Sequence, residues 1–182
     1  MWRVLAMIAF TACVVSGEDT KPPAPKAESS ERIFEVEGPE EALRVSFDDL
    51  ELRQLLDVQK VPVDVEDQLP EWLKKLNGKT VRTTGWMFPP PTETELPAFL
   101  LVKTAMWMDF GRRLHADEKI GVRMRKGVTA DYISDRSFDV VGKFTIKSRV
   151  DQGELLWLYM IEDAVVIDLA KSTPLPAERK EE

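Results

Sequence analysis

Five stretches of short or alternating apolar character from residue 79 onward, two helix-punctuated segments ahead of them, and glycines at 85 and 142 inside would-be strands predict a mainly β fold. The expected form is a small five-stranded OB-like barrel preceded by two short helices. The glycines carry the barrel expectation, because a small closed sheet coils sharply and a residue without Cβ allows the backbone to do so. A sandwich or an open curved sheet would satisfy the same periodicity, which does not fix pairing.

In order along the chain, FDDLELRQLLDV (47–58) groups Leu50, Leu52, Leu55 and Leu56 at helical spacing, with Asp48 and Asp49 in the opening turn where acids suit the helix dipole. Pro62 bars continuation. PEWLKKLNGK (70–79) is the best-punctuated helix: Pro70 suits a first turn, Trp72, Leu73 and Leu76 form an apolar stripe, and Asn77-Gly78 supplies the stop. KTVRTTGWMF (79–88) then turns β-like through its threonines and valine. PPPTETELP (89–97) is a connection, since successive prolines do not serve a central strand. AFLLVK (98–103) reads as a short buried strand. KIGVRMRK (119–126) alternates, with Ile120, Val122 and Met124 on one face and Arg123 and Arg125 on the other. SFDVVGKFTIK (137–147) alternates through Phe138, Val140, Gly142, Phe144 and Ile146. ELLWLYMIEDAVVIDL (154–169) is one long or two short strands with a pause at Glu162-Asp163.

The ends of the chain read differently. Residues 1–17, MWRVLAMIAFTACVVSG, join one cation to an apolar run suited to a secretory signal peptide and too short for a permanent span. Cleavage after Gly17 would release a protein beginning Glu18-Asp19. A competing site, Phe10-Thr11-Ala12-Cys13, has the outline of a lipobox and would lipidate Cys13, with Phe10 a poor match to its usual aliphatic residue. Residues 18–31 mix proline and charge with small side chains and read as a flexible linker; 171–182 read as a disordered tail. Residues 32–170 are then one domain, exported to the periplasm or cell envelope, with a membrane contact only through a lipid on Cys13.

Composition narrows the chemistry. The formal charge is -7, and loss of Arg3 with the leader makes it more negative, which repels nucleic acid and anionic lipid. The single cysteine lies in the leader, so the mature domain has no disulfide and no thiolate metal site. Asp109-Phe110-Gly111 spells a kinase-type magnesium motif, but its phosphate loop, strand lysine and catalytic loop are absent from the sequence. A turn with Phe110 packed inward is the simpler reading. Asp109, His115, Asp117 and Glu118 form the one imaginable metal corner, although zinc ordinarily takes three or four ligands rich in His or Cys and this chain has one histidine.

No serine stands in a G-x-S-x-G elbow with His115 as base. Carboxylate pairs abound, at Asp48-Asp49, Asp64 with Glu66 and Asp67, and Glu162-Asp163, and the ordinary fate of such pairs is solvation. Arg112, Arg113, Arg123, Arg125 and Lys126 are the one gathering of positive charge, able to form an anion-binding face or to pair with the protein's own acids. Trp86, Trp107 and Trp157 read as core filling unless two of them share an exposed face.

ALRVSFDDLEL (42–52), LPEWLKKLNGKTVRTTGWMFPP (69–90), AFLLVK (98–103), DFGRR (109–113), TADYISDRSFDVVGKFTI (129–146) and LYMIEDAVVID (158–168), in that order, resemble the bacterial family called domain of unknown function 3299, particularly its planctomycete-like members. The resemblance implies an exported protein with a signal or lipoprotein leader and no established enzymatic activity. Some members of that family are encoded beside transporter components, including ones for metal uptake. Similar sequences are expected to carry a cysteine pair before the Phe-Gly; Met108 and Asp109 stand there in this chain, so no thiol chemistry is carried over.

The function expected from all this is a non-catalytic binding or scaffold module of the cell envelope, without a cofactor, docking a protein partner or small ligand. The rival expectation is a transporter-associated metal-handling accessory using Asp109, His115, Asp117 and Glu118. A hydrolase built on paired acids ranks last.

Overall fold

The computed structural model describes residues 32–56, 61–105 and 114–167. The leader with Cys13, the linker, the tail, Trp107, the Asp109-Phe110-Gly111 motif and Arg112-Arg113 lie outside the described residues. The elements are β1 (Val36–Glu37), β2 (Ala42–Arg44), α1 (Leu52–Leu55), a 3-10 turn (Val65–Gln68), α2 (Glu71–Leu76), β3 (Thr80–Met87), β4 (Ala98–Val102), a second 3-10 turn (Ala116–Glu118), β5 (Lys119–Met124), β6 (Phe138–Asp151) and β7 (Glu154–Ile167). The described chain is thus mainly β with few helices.

The strands form one mixed sheet of seven, ordered β1-β2-β3-β4-β5-β7-β6, with a further pairing of β3 to β6. Followed through its pairings, the path β3-β4-β5-β7-β6 returns to β3. Pairing is parallel between β5 and β7 and between β2 and β3, and antiparallel elsewhere. One edge of β3 is shared: β2 takes Val81 and Arg82, and β4 takes Trp86 and Met87. The β6-β7 connection is a two-residue turn with Gln152 at φ 47° and Gly153 at φ 78°, the left-handed pair that matches hairpin twist.

Period-2 patterning places the core where alternation predicts. Ile120, Val122 and Met124 are buried from β5, and Phe138, Val140 and Phe144 from β6. Phe144 meets Tyr159 of β7 at a centroid distance of 5.4 Å, and Phe99 meets Phe138 at 6.0 Å. Leu50, Leu52, Val65, Leu69, Trp72, Leu73 and Leu76, from the two helices and the turns beside them, join the same cluster. Asn77-Gly78 ends α2 as the sequence predicts, with Gly78 at φ 83° and its amide donating to Phe144 O at 2.7 Å.

Two expectations need correction. The first helix does not begin at Asp48-Asp49, since α1 is the single turn Leu52–Leu55 with no acid in its first turn. The Asp49 carboxylate instead accepts from the Ser46 amide at 2.9 Å and the Ser46 hydroxyl at 2.6 Å, a local bond that competes with helix. And β1 and β2 precede the helices, where no strand was expected. They are two and three residues long, too short to show a period.

The anticipated pause at Glu162-Asp163 is a β-bulge inside one continuous strand. Val122 pairs with Ile161 but Met124 with Ala164, and Val141 with Val165 but Lys143 with Glu162. So β7 carries one extra residue against both neighbours, and Asp163 takes φ 53° there. Gly142 sits under it: a Cβ at 142 would lie 2.7 Å from Ile161 Cγ2 and 2.8 Å from Glu162 O. Gly85 is similarly confined, 2.7 Å from Leu101 Cγ and 2.9 Å from Val102 O, at the residue where β3 passes from β6 to β4. The Gly142→Ala protein is expected to lose about 2–3 kcal/mol in urea unfolding, because backbone atoms have to move apart. A loss under about 0.5 kcal/mol, the range of neutral surface changes, would contradict this account.

Candidate functional site at the turn before β5

The 3-10 turn Ala116–Glu118 delivers three of the four sequence-predicted metal-corner residues, and its geometry separates them. Glu118 Oε2 accepts from the His115 amide at 2.9 Å, while the Glu118 amide donates to His115 O at 3.2 Å, a reciprocal cap that fixes the turn. Glu118 Oε1 lies 3.4 Å from Arg53 Nη2. Asp117 turns toward α1: its Oδ2 accepts from the Arg53 amide at 3.2 Å and from Arg53 Nε at 3.3 Å. Asp117 is 1% exposed and Glu118 6%. The fourth residue, Asp109, is outside the described residues.

Arg53 therefore stands where a cation would stand. Charged groups buried this deeply require partners, and the guanidinium serves Asp117, Glu118 and, at 3.3 Å, Glu51 Oε1. The chain of charges continues outward. Lys103 Nζ lies 2.8 Å from Glu51 Oε2 and 2.8 Å from Asp48 Oδ1. The Lys103 hydrogen bond, outweighing burial, holds the Glu51 carboxyl below its usual range. Burial works against the Lys103 ammonium, but hydrogen bonds to Asp48 and Glu51 prevail and raise it. One atom stays unmatched: Asp117 Oδ1 has no hydrogen-bond partner among the described residues. Beside it, burial first and the Asp117 charge second push the Tyr159 phenol well above its usual value. That phenol donates to Leu50 O at 3.2 Å.

His115 faces the other way. It lines a cleft of about 280 Å³ with Val61, Leu114, Ala116, Lys119 and Leu155, a volume just under the range of small-molecule sites. The described residues contain no group of three or more His, Cys, Asp or Glu placed to hold a metal ion. Of the basic cluster read from the sequence, Arg123 reaches Glu162 at 3.2 Å and Arg125 reaches Asp163 at 3.3 Å. Trp86 and Trp157 are both half-buried.

A second constellation went unseen in the sequence. On β2, β3 and β6, Asp139 Oδ2 accepts from Arg82 Nε at 2.7 Å and Arg44 Nη1 at 3.0 Å, and Thr84 donates to Asp139 Oδ1. Glu37 Oε2 completes the cluster, 3.5 Å from Arg82 Nε and 3.6 Å from Arg44 Nη1. Burial would raise the Asp139 carboxyl, but the Thr84, Arg82 and Arg44 bonds prevail and hold it below its usual range. The sequence carries only the alternation of Arg82 and Thr84 on a β3 face; the register that sets Asp139 opposite Thr84 is fixed by the sheet. Both clusters are built to hold elements together. Neither leaves a general base beside an open nucleophile.

No family model matches the chain, and no curated protein matches it. Among solved structures, a crystal structure of a protein of the family of domain of unknown function 3299 from Pseudomonas aeruginosa PAO1 is similar at 20% identity and a TM-score of 0.37, covering 52% of this chain and 65% of that one. The family named there is the one the sequence resembles.

Arg53→Met, which takes the guanidinium away from the buried Asp117 and Glu118 carboxylates, is expected to cost about 3–5 kcal/mol in urea unfolding. Adding Asp117→Asn is expected to restore part of that loss. An Arg53→Met protein as stable as the parent would show that the ion pairs are incidental. For Asp139 the folded carboxyl binds its proton less readily than the unfolded one. Its stabilisation is therefore full above the ordinary value of 3.8 and is lost as pH falls through the lower folded value. Thermal unfolding across the acid limb should accordingly be less steep in Asp139→Asn; an unchanged slope would refute the assignment.

Proposed function

We propose that the chain is a non-catalytic binding or scaffold module of the bacterial cell envelope, built as a five-stranded OB-type barrel capped by α1 and α2. Supporting the barrel is the return of the pairing path β3-β4-β5-β7-β6 onto β3, with β5 and β7 parallel and with side-chain-free positions at Gly85 and Gly142 where neighbouring strands approach too closely for a Cβ. Supporting envelope location is the leader-like run of residues 1–17.

The observation that carries the non-catalytic reading is the engagement of the buried acids. Asp117, Glu118 and Asp139, the buried charged residues of the described chain, each bond to an arginine that ties one element to another. A catalytic acid or base needs a face toward substrate. A resident cation at Asp117 and Glu118 would have to expel Arg53, which disfavours the metal-handling reading.

In vivo crosslinking of the full-length protein with mass-spectrometric mapping is expected to join its strand surface to a defined envelope protein. Calorimetric titration of the mature chain with zinc, copper and calcium is expected to show nothing tighter than millimolar binding. Micromolar metal affinity lost in His115→Ala would favour the accessory role instead, and turnover of a substrate without any crosslinked partner would end the proposal.

A further inference from the structure

β6 outruns its neighbour. Its ladder with β3 spans Phe138 to Lys143, and the Phe144 amide and carbonyl are taken by Lys79 O and the Gly78 amide. Beyond that point no strand among the described residues pairs this edge, yet its next two donors are not bare. The Ile146 amide donates to Asn77 Oδ1 at 3.0 Å and the Ser148 amide to Glu66 Oε1 at 3.1 Å. Two side-chain oxygens, one amide and one carboxylate, thus stand at i, i+2 spacing in the positions that carbonyls of an adjacent strand would occupy. Both belong to exposed residues, Asn77 at the end of α2 and Glu66 on a 3-10 turn.

Charge marks the same edge. Among the described residues, Lys79, Lys126, Lys143, Lys147 and Arg149 have no carboxylate at salt-bridge distance, and all of these but Lys126 lie on or beside β6, whereas Arg32, Arg44, Arg53, Arg82, Arg123 and Arg125 are paired. In a protein of net charge -7, three unpaired cations on β6, with Lys79 bonded through its carbonyl to Phe144 beside them, form a local field of the opposite sign. Val150, at the end of this edge, is 41% exposed.

We infer that the β6 edge from Ile146 to Val150 is a docking site for an extended, acidic segment of a partner protein, which adds as a strand after displacing Asn77 and Glu66. The inference rests on the binding-module reading and names its partner class. Main-chain bonds would supply affinity and Lys147 and Arg149 the preference for acids. Glu66 already shows that a carboxylate is accepted there. A second copy of this chain fits less well, because antiparallel pairing about Ser148 would set Lys147 against the Arg149 of the other copy, and like charges directly opposite destabilise.

The test uses the full mature chain and a fluorescent peptide of alternating glutamate and valine, with a lysine-valine peptide as counterpart, read by anisotropy. The acidic peptide alone is expected to bind, slowing hydrogen exchange at Ile146 and Ser148. Glu66→Ala should tighten binding roughly fivefold by removing the internal competitor. Lys147→Glu with Arg149→Glu, both exposed and outside the core, should weaken it about tenfold or more. The inference is overturned by equal binding of the two peptides, by an edge closed to both, by Glu66→Ala without effect, or by concentration-dependent dimerisation of Glu66→Ala in sedimentation. Crosslinks mapping to other strands would leave the binding-module reading standing without it.

Discussion

The extra residue that β7 holds at Asp163 is the constraint on which the sheet depends. β7 is the strand that joins β5 to β6, so a bulge there re-aims its pairing on both sides at once. Absence of a side chain at Gly142 gives the bulged backbone its room. Gly85 performs a matching service on β3, where one strand faces β6 and then β4. Close backbone approach is thus accommodated at two glycines, the β6-β7 ladder shifts register again between Ile146 and Val150, and the inward residues of the strands make the core.

Ion pairs do a different job from the sheet. The N-terminal third of the described chain is poor in ladder bonds: β1 and β2 are short, α1 is one turn, and the segment through Pro70 is irregular. Beyond its apolar residues, the short β2-β3 pairing and single bonds such as Tyr159 to Leu50 O, two charge clusters fasten it to the strands. Arg53 secures α1 to the turn before β5, Lys103 of the segment after β4 secures the approach to α1, and Asp139 of β6 secures Arg44 of β2. Arginine suits such positions because its planar fork reaches several oxygens at once. Breaking one partner of a buried pair strands the other in a low-dielectric interior, so these clusters act as fasteners whose failure is costly.

Much of the sheet could be read from the sequence because it is local. β4, β5 and β6 alternate or run apolar over five or more residues, α2 is bracketed by Pro70 and Asn77-Gly78, and the glycines at 85 and 142 interrupt strand patterns where side chains would be expected. The pairing path was not legible, since period 2 says which face is inward and nothing about which strand lies alongside. The start of α1 was misread because Ser46 and Asp49 bond one another locally. Asp117 and Glu118 looked like ligands for want of Arg53, which lies 64 residues away from Asp117 in the chain. Asp139 and Arg82 are 57 apart, and no spacing rule connects them. Charge pairing across such separations is decided by the sheet, and the sheet has to exist before its acids can be assigned a role.

The tight Gln152-Gly153 turn has a kinetic consequence. It joins the two longest strands through two residues, the shortest strand-to-strand connection among the described residues, so their pairing closes a minimal loop and costs little chain entropy. The parallel β5-β7 ladder and the β3-β6 ladder each bridge long stretches of chain, and assembly dominated by such non-local pairings is slow. The hairpin is therefore the natural template on which the remaining strands are recruited, and its projecting end, beyond the β3 and β5 ladders, keeps open edges even when that recruitment is complete.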